Sequence, residues 1–234
     1  MKALIETIKN IFKIEELKDR ILYTLLLLLI YRLGAQVVLP GIDPEALEGL
    51  KTQTAGGIMG LLDIFSGGAF SNASVFALGI MPYISASIVI QLLGIAVPYF
   101  QKLQKEGESG RRKMNQITRY LTLGILLLQR PSYLANLKAQ APDAFTPGFS
   151  NVASVIILTA GTMFVMWLGE RITDKGIGNG ISLIIMIGII ARLPFALIAE
   201  FGSRLDQQGG GLVAFLVEVV FLFFVFMGTI LLVQ

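Results

Sequence analysis

Long runs of apolar residues, separated by short polar segments, extend along almost the whole sequence. A helix needs about 20 mostly apolar residues to cross the hydrocarbon core of a bilayer. Several runs approach or reach that length, and we expect each to form a membrane-spanning helix. They comprise residues 21–39, 75–100, 120–137, 152–168, 181–199 and 212–233. The pattern therefore predicts an all-α integral membrane protein with about six transmembrane helices.

The third run is the weakest because it carries Arg130 and Pro131 near its middle. A charged side chain inside a bilayer needs water, a partner group or a route to the interface. Proline lacks the N–H that bonds to the preceding turn, and it commonly kinks a helix. We therefore expect Arg130 to reach one of these polar environments and the helix to kink at Pro131.

Residues 1–20 precede the first run and mix charged side chains with apolar ones. The apolar members are Ile5, Ile8, Ile11, Phe12, Ile14 and Leu17. Such a pattern is typical of an amphipathic helix on a membrane surface, and a solvated basic leader is the alternative. No small-residue cleavage site of a secretory signal precedes the first run. We therefore divide the chain into a leader, 1–20, and a transmembrane domain, 21–234.

The connection between the first two runs is not a simple loop. A polar stretch follows Gly41, and an apolar segment with glycines on either side, 58–70, comes next. That segment is too short to cross a bilayer, and irregular backbone at membrane depth is tolerated only inside protein. It predicts a short re-entrant helix, and an amphipathic helix lying on the outer leaflet is the alternative.

Composition supports a membrane protein and argues against most enzyme classes. Hydrophobic residues make up 54% of the chain and charged residues 15%, with a mean hydropathy of +0.73. Soluble domains have about 45–50% apolar and about 25% charged residues. Cysteine and histidine are absent, which excludes disulfides, thiol nucleophiles, imidazole bases and the usual zinc ligands. We predict no enzyme activity, no metal site and no cofactor.

Lysine and arginine are concentrated in alternate connections between the runs. The larger set comprises Lys2, Lys9, Lys13, Lys18, Arg20, Lys102, Lys105, Arg111, Arg112, Lys113, Arg119, Arg171 and Lys175. The opposite connections hold Lys51, Lys138 and Arg204. Because cytoplasmic loops carry the excess of basic residues, we expect a cytoplasmic amino terminus. No basic cluster follows the sixth run, so we expect a fragment of a longer protein, with a genuine truncation as the alternative.

Polar residues interrupt the second run along one helical face. Ile80, Ile84, Ser87 and Gln91 fall on one stripe, because their spacings are close to whole helical turns. Gln91 is costly against lipid and is expected to face protein or water. Pro82 removes a backbone hydrogen bond and is expected to loosen the helix. A kinked helix that packs through small residues explains the same spacing.

The fifth run begins with a glycine-rich turn, 176–180, followed by isoleucines one helical turn apart. The glycines permit a tight turn, and Asn179 is suited to cap the start of the helix. Ile181 and Ile185 share a stripe that Gly188 continues. No strand precedes the glycines and no P-loop lysine follows them, so we reject nucleotide binding.

Residues 105–113 form a basic segment with glycines and are predicted to make a cytoplasmic turn. Its basic members are Lys105, Arg111, Arg112 and Lys113. The default interpretation is an anchor for the membrane topology. Binding of anionic lipid headgroups or of ribosomal RNA phosphates is a further interpretation.

Four groups of residues resemble the SecY family of bacterial protein-conducting channels. They are 65–68 (FSGG), 77–87 (ALGIMPYISAS), 105–113 (KEGESGRRK), and 166–170 (MWLGE) together with 176–182 (GIGNGIS). They occur in the family's order and at its approximate spacing, and the resemblance is weakest at 129–150. The chain resembles the amino-terminal half of such a channel.

The resemblance implies half of a ten-helix, pseudo-symmetric channel around an hourglass pore. It assigns four members of an apolar pore ring to Ile80, Ile84, Ile181 and Ile185. It assigns a short re-entrant plug helix to Leu62, Asp63, Ile64, Phe65, Ser66, Gly67, Gly68, Ala69, Phe70 and Ser71. It assigns one side of a lateral gate to Ser85, Ser87 and Gln91.

The resemblance also implies a function and partners. Such channels secrete unfolded polypeptides across the cytoplasmic membrane and insert membrane proteins into it, without bond chemistry. The implied partners are SecE- and SecG-like small membrane subunits, a SecA-like motor ATPase, the ribosome, signal sequences, nascent polypeptides and the lipid bilayer. The implied location is the bacterial inner membrane. A small-solute transporter or ion channel is the runner-up, and a membrane scaffold is the third hypothesis.

Overall fold

A computed structural model of the chain describes residues 13–43, 47, 60, 63–141, 144–145, 151–206 and 211–233. Within these ranges the regular structure consists of α-helices without a strand, which confirms the predicted all-α class. The helices are α1 (Glu15–Gly34), α2 (Met81–Ala96), α3 (Pro98–Lys105), α4 (Glu108–Gln140), α5 (Asn151–Lys175), α6 (Gly180–Asp206) and α7 (Gly211–Val233). Most of the predicted leader, 1–12, and Leu62 of the predicted plug lie outside the described residues.

The described helices are those of a multi-pass membrane protein. By length and apolarity, α5, α6 and α7 are each able to cross a membrane. The pair α2 and α3 meets the same criterion together, although the two helices are bent by 98°. Among the described helices, α1 and α4 do not meet it. The total of six spans therefore stays a prediction. The chain divides into two compact units, Met1–Ile189 and Ile190–Gln234.

The first predicted span is wrong at its carboxyl end. α1 ends at Gly34, and the chain continues in turns that include an isolated bridge between Val38 and Ser74. The amide of Leu39 donates to the carbonyl of Ala73 at 2.9 Å. β-branched apolar residues suit an extended segment as well as they suit a buried helix. Hydropathy alone therefore did not locate the end of the helix.

The second predicted span is shorter than its apolar run. α2 begins at Met81, so Pro82 lies in the first turn, where its missing N–H costs nothing, and it does not loosen the helix. The run is broken instead at Val97, which is extended (φ −111°, ψ 123°) because a proline follows it. Pro98 then begins α3. Residues 75–100 are thus a turn, a helix and part of a second helix.

The predicted re-entrant helix also ends early. Asp63, Ile64 and Phe65 are helical, and the following residues form turns. Gly67 has a left-handed backbone (φ 66°), and its amide donates to the carbonyl of Ile64 at 3.0 Å. The amide of Gly68 donates to the carbonyl of Asp63 at 2.9 Å. This pair of bonds is the Schellman motif, which closes a helix at a glycine.

The third predicted span lies within α4, a single helix of 33 residues that contains Pro131. The proline therefore does not interrupt the helix. Arg130 is fully buried, and its NH1 nitrogen donates to the carbonyl of Val155 in α5 at 3.0 Å. Its Nε and NH2 nitrogens have no hydrogen-bond partner among the described residues. The polar group that Arg130 reaches is thus a main-chain carbonyl of the next helix.

In the second unit, Arg204 joins the end of α6 to the first half of α7. Its guanidinium contacts Glu200 at 2.8 Å and Glu218 at 2.6 Å. Beside it, the rings of Phe201 and Phe215 meet edge to face with their centroids 5.4 Å apart. The acidic residue inside the sixth apolar run is therefore paired with a cation, as a charge in a membrane helix requires.

Candidate constriction and plug segment

The four isoleucines predicted for the pore ring lie in one hydrophobic cluster of the first unit. Ile80 is buried inside this cluster, and Ile84, Ile181 and Ile185 are partly buried against it. Ile80 immediately precedes α2, and Ile181 lies in the first turn of α6. The starts of two helices that are far apart in sequence therefore meet here. Membership of a pore ring stays a prediction.

The isoleucine cluster converges on Gly169 of α5. A Cβ atom at this glycine would lie 3.1 Å from Ile181 Cγ1 and 3.5 Å from the Cδ1 atoms of Ile80 and Ile184. Neither Gly169 nor Ile184, which is fully buried, was predicted as part of the site. The available signal was a glycine inside an apolar helical run, because alanine favours a helix more strongly.

The start of α6 fixes the position of Ile181. Asn179 Oδ1 accepts hydrogen bonds from the amides of Ile181 at 3.0 Å and Ser182 at 3.3 Å, so the predicted cap is confirmed. A Cβ atom on Gly180 would lie only 2.1 Å from the carbonyl oxygen of Gly169. The glycine therefore permits the backbones of α5 and α6 to touch. This contact holds Ile181 against the centre of the cluster.

A polar pocket of about 170 Å³ adjoins the cluster. Its lining residues are Tyr83, Asn115, Arg119, Glu170, Thr173, Asp174, Asn179 and Ile181. Arg119 Nε donates to Glu170 Oε1 at 3.0 Å, and a second guanidinium nitrogen bonds the other carboxylate oxygen. The hydrogen bond with Glu170 raises the pKa of Arg119. The ion pair thus favours the charged form that an arginine already has at neutral pH.

Most residues predicted for the plug are buried and bonded to one another. The buried members among those described are Asp63, Ser66, Gly67, Gly68, Ala69, Phe70 and Ser71, whereas Ile64 and Phe65 are exposed. Asp63 Oδ1 accepts from the amide of Ser71 at 2.8 Å. Ser66 Oγ accepts from the amide of Phe70 at 3.0 Å. These bonds fold residues 63–71, hereafter the plug segment, into a compact turn.

Side chains from two neighbouring helices bond to the main chain of the plug segment. They are Tyr31 and Arg32 of α1 and Tyr133 of α4. None was predicted, because the partners of Arg32 and Tyr133 lie 35 and 63 residues away in the sequence. The local sign of a polar contact was an arginine inside the first apolar run.

The three residues predicted for the lateral gate do not all line the same cavity. Ser85 lines a cavity of about 280 Å³, together with Phe70, Ala77, Leu78, Met81, Gln129, Ser132, Tyr133 and Asn136. Ser87 and Gln91 are not among these lining residues. Gln91 Nε2 donates instead to Ser87 Oγ at 3.2 Å, within α2. The structure thus places Ser85 beside α4 and pairs the other two residues with each other.

The basic residues of 105–113 lie at the end of α3 and the start of α4, and all are exposed: Lys105, Arg111, Arg112 and Lys113. Arg112 forms an ion pair with Glu108 at 2.7 Å. A Cβ atom at Gly110 would lie 1.8 Å from the carbonyl oxygen of Leu103, so the two helices approach closely. The predicted turn is therefore the tight corner of a helical hairpin.

These features define a multi-pass α-helical membrane protein in which an apolar cluster joins two helix starts beside a buried turn. The family model of SecY matches residues 74–234. The protein translocase subunit SecY of Aquifex aeolicus (strain VF5) is 46% identical over 200 residues, which cover 82% of this chain and 47% of the relative. The chain belongs to the SecY family, which confirms the resemblance of its motifs.

Further relatives agree. The protein translocase subunit SecY of Escherichia coli (strain K12) is 47% identical over 206 residues, which cover 86% of this chain and 46% of the relative. That of Pseudomonas aeruginosa (strain PAO1) is 46% identical over 197 residues, which cover 84% and 44%. The chain spans about half the length of the curated relatives it matches.

Proposed function

We propose that this chain contributes one half of a protein-conducting channel, which secretes unfolded polypeptides and inserts membrane proteins. The observation that carries the proposal is the convergence of Ile80, Ile84, Ile181 and Ile185 in one cluster. Membership of the SecY family supports it, because the relatives are named protein translocase subunits. Those names favour polypeptide transport over the small-solute transporter or ion channel.

The proposed constriction works through apolar side chains without directional bonds. An apolar collar gates by dewetting, so water and ions meet a barrier while the pore is empty. Branched aliphatic side chains make no hydrogen bonds and adapt to passing residues of any kind. The four isoleucines would supply part of such a collar, and the remaining members would come from a second half. A channel of this kind needs no catalytic group and no cofactor.

The proposal also assigns roles to the plug segment, the lateral-gate residues, the basic residues of 105–113 and the leader. The plug segment would block one mouth of the pore, and Ser85, Ser87 and Gln91 would belong to a lateral gate toward lipid. Lys105, Arg111, Arg112 and Lys113 would face the cytoplasm and anchor the topology. The leader, 1–20, would be cytoplasmic and 21–234 would form the transmembrane domain.

The proposed setting is the bacterial inner membrane with a cytoplasmic amino terminus, supported by the asymmetric distribution of Lys and Arg. The proposed partners are SecE- and SecG-like subunits, a SecA-like motor ATPase, the ribosome, signal sequences and nascent polypeptides. Their support is family membership. The energy for transport would come from these partners, because the collar itself performs no reaction.

Site-specific photo-crosslinking tests the proposal in the complete channel that carries this sequence. A photoreactive residue at Ile80 or Ile181 is expected to form an adduct with an arrested secretory chain. Ile156, which is exposed on α5, provides the matched control and is expected to give no adduct. Absence of an adduct at both Ile80 and Ile181 while the chain is arrested in the channel would overturn the proposal.

A further inference from the structure

We propose that Arg32, Tyr31 and Tyr133 are positioning residues that hold the plug segment in its resting place. The inference rests on the proposed function, since it assigns the means by which that channel keeps its plug closed. All three side chains donate hydrogen bonds to main-chain carbonyls of the plug segment. These three hydrogen bonds therefore do not involve the side chains of the plug segment.

Two of the donors come from adjacent residues of α1. Arg32 NH1 donates to the carbonyl of Gly67 at 2.7 Å, and Tyr31 Oη donates to the carbonyl of Ser66 at 3.3 Å. Ser66 and Gly67 stand where the short helix ends, and carbonyls at a helix end need partners from outside the helix. A charged donor makes the stronger bond of the two. Arg32 is thus the principal attachment on this side.

The third donor, Tyr133 of α4, bonds to the other end of the plug segment. Tyr133 Oη donates to the carbonyl of Phe70 at 3.1 Å, and both groups are buried. The two rings also meet edge to face, with centroids 5.0 Å apart at an angle of 62°. A buried donor or acceptor that loses its partner carries the full cost of desolvation. When the plug segment leaves α4, the Phe70 carbonyl and the Tyr133 hydroxyl lose each other as partners. This step is unfavourable until water bonds to both groups.

Close packing around Gly67 also holds the plug segment in place. A Cβ atom there would lie 2.9 Å from Gly188 Cα in α6 and 3.1 Å from Arg32 NH1. The backbone of Gly67 is also left-handed, with φ at 66°, a conformation that favours glycine. The turn is thus enclosed by Arg32 on one side and by the backbone of α6 on the other.

The attachment at Tyr133 is also placed to respond to an incoming chain. Phe70 and Tyr133 both line the cavity of about 280 Å³ that contains Ser85. A polypeptide segment that enters this cavity contacts the pair that ties the plug segment to α4. The hydrogen bond and the ring contact that tie the plug segment to α4 therefore border this cavity.

Thiol labelling of the complete channel tests the proposal, because this sequence has no cysteine. Ser71→Cys is nearly isosteric, and Ser71 is buried, so the resting channel should label slowly with a membrane-impermeant maleimide. In the Arg32→Gln, Tyr133→Phe double variant we expect the labelling rate to rise about tenfold, from the loss of one buried and one partly buried hydrogen bond. Arg32→Lys keeps a cationic donor and should restore much of the protection.

The matched control is the Arg20→Gln, Tyr120→Phe double variant, which makes the same substitutions at exposed positions of the same two helices. Its labelling rate should equal that of the parent. Tyr133→Phe alone keeps the ring, so it remains informative even if the double variant fails to insert. The inference is overturned if the double variant or Tyr133→Phe inserts into the membrane and the Ser71→Cys thiol is labelled at the same rate as in the parent. Photo-crosslinking at Ile80 in the parent separately decides the channel proposal, whatever the labelling shows.

Discussion

Arg119 and Glu170, which are 51 residues apart in the sequence, form a doubly bonded ion pair between α4 and α5. Glu170 directly follows Gly169, the residue on which the isoleucine cluster converges. The Glu170 side chain is 17% exposed and that of Arg119 is 49% exposed. The pair therefore lies at the boundary between the polar pocket and the apolar cluster. It ties the helix that supports the cluster to its neighbour.

Loss of the Glu170 charge is expected to destabilise this junction. Glu170→Gln leaves the guanidinium of Arg119 without a counter-charge, and partial exposure limits the cost to about 1 kcal/mol. We expect a lower melting temperature for the purified channel, with a smaller difference at high salt because screening weakens the native pair. The reversed pair, Arg119→Glu with Glu170→Arg, should recover part of the loss. If the two reversed substitutions destabilise additively, the pair carries no coupling energy.

A second prediction concerns the contact between α5 and α6. Gly180→Ala places a Cβ atom 2.1 Å from the carbonyl oxygen of Gly169, where the obstacle is backbone and cannot rotate away. Overpacking of this kind costs about 1–3 kcal/mol, and we expect a clearly lower melting temperature.

Gly124→Ala is the matched control for this substitution. Gly124 lies in α4 with nothing within 4 Å of its Cβ position, and alanine favours a helix by about 1 kcal/mol. The melting temperature should therefore stay the same or rise. Equal effects at the two glycines would show that α5 and α6 do not touch at Gly180.

A third prediction concerns Arg130, whose Nε and NH2 nitrogens are buried without a partner among the described residues. A protein with a buried, only partly bonded charge is often less stable than one with an apolar residue of similar volume at that position. Arg130→Met should therefore leave the melting temperature unchanged or raise it, whereas Arg130→Ala should lower it by opening a cavity. A marked loss of stability in Arg130→Met would show that the guanidinium has a further partner.

Local sequence rules predicted those parts of the fold that depend on neighbouring residues. Asn179 caps α6 as its residue type and position indicated. The prediction that Pro82 loosens the helix was wrong, because Pro82 lies in the first turn of α2. Hydropathy does not reveal where a helix begins. Hydropathy likewise did not reveal that a helix ends at Gly67, because a left-handed glycine closes a helix inside an apolar segment.

Contacts between distant residues were beyond such rules. The bond between Arg32 and Gly67 and the ion pair of Arg119 with Glu170 join residues that are 35 and 51 positions apart. No periodicity connects these positions, and only the packing of helices brings them together. Family resemblance brought Ile80 and Ile181 into one prediction, whereas periodicity alone placed each on a separate stripe.

The central claim is that isoleucines from two helix starts form a collar through which polypeptides pass. Its most direct test is the Ile80→Cys, Ile181→Cys double variant of the complete channel, treated with a short thiol crosslinker. We expect the two helices to be joined in the empty channel, transport to stop after joining, and an arrested polypeptide to prevent the reaction. Undiminished transport through a quantitatively crosslinked channel, or no crosslink in the empty one, would contradict the account.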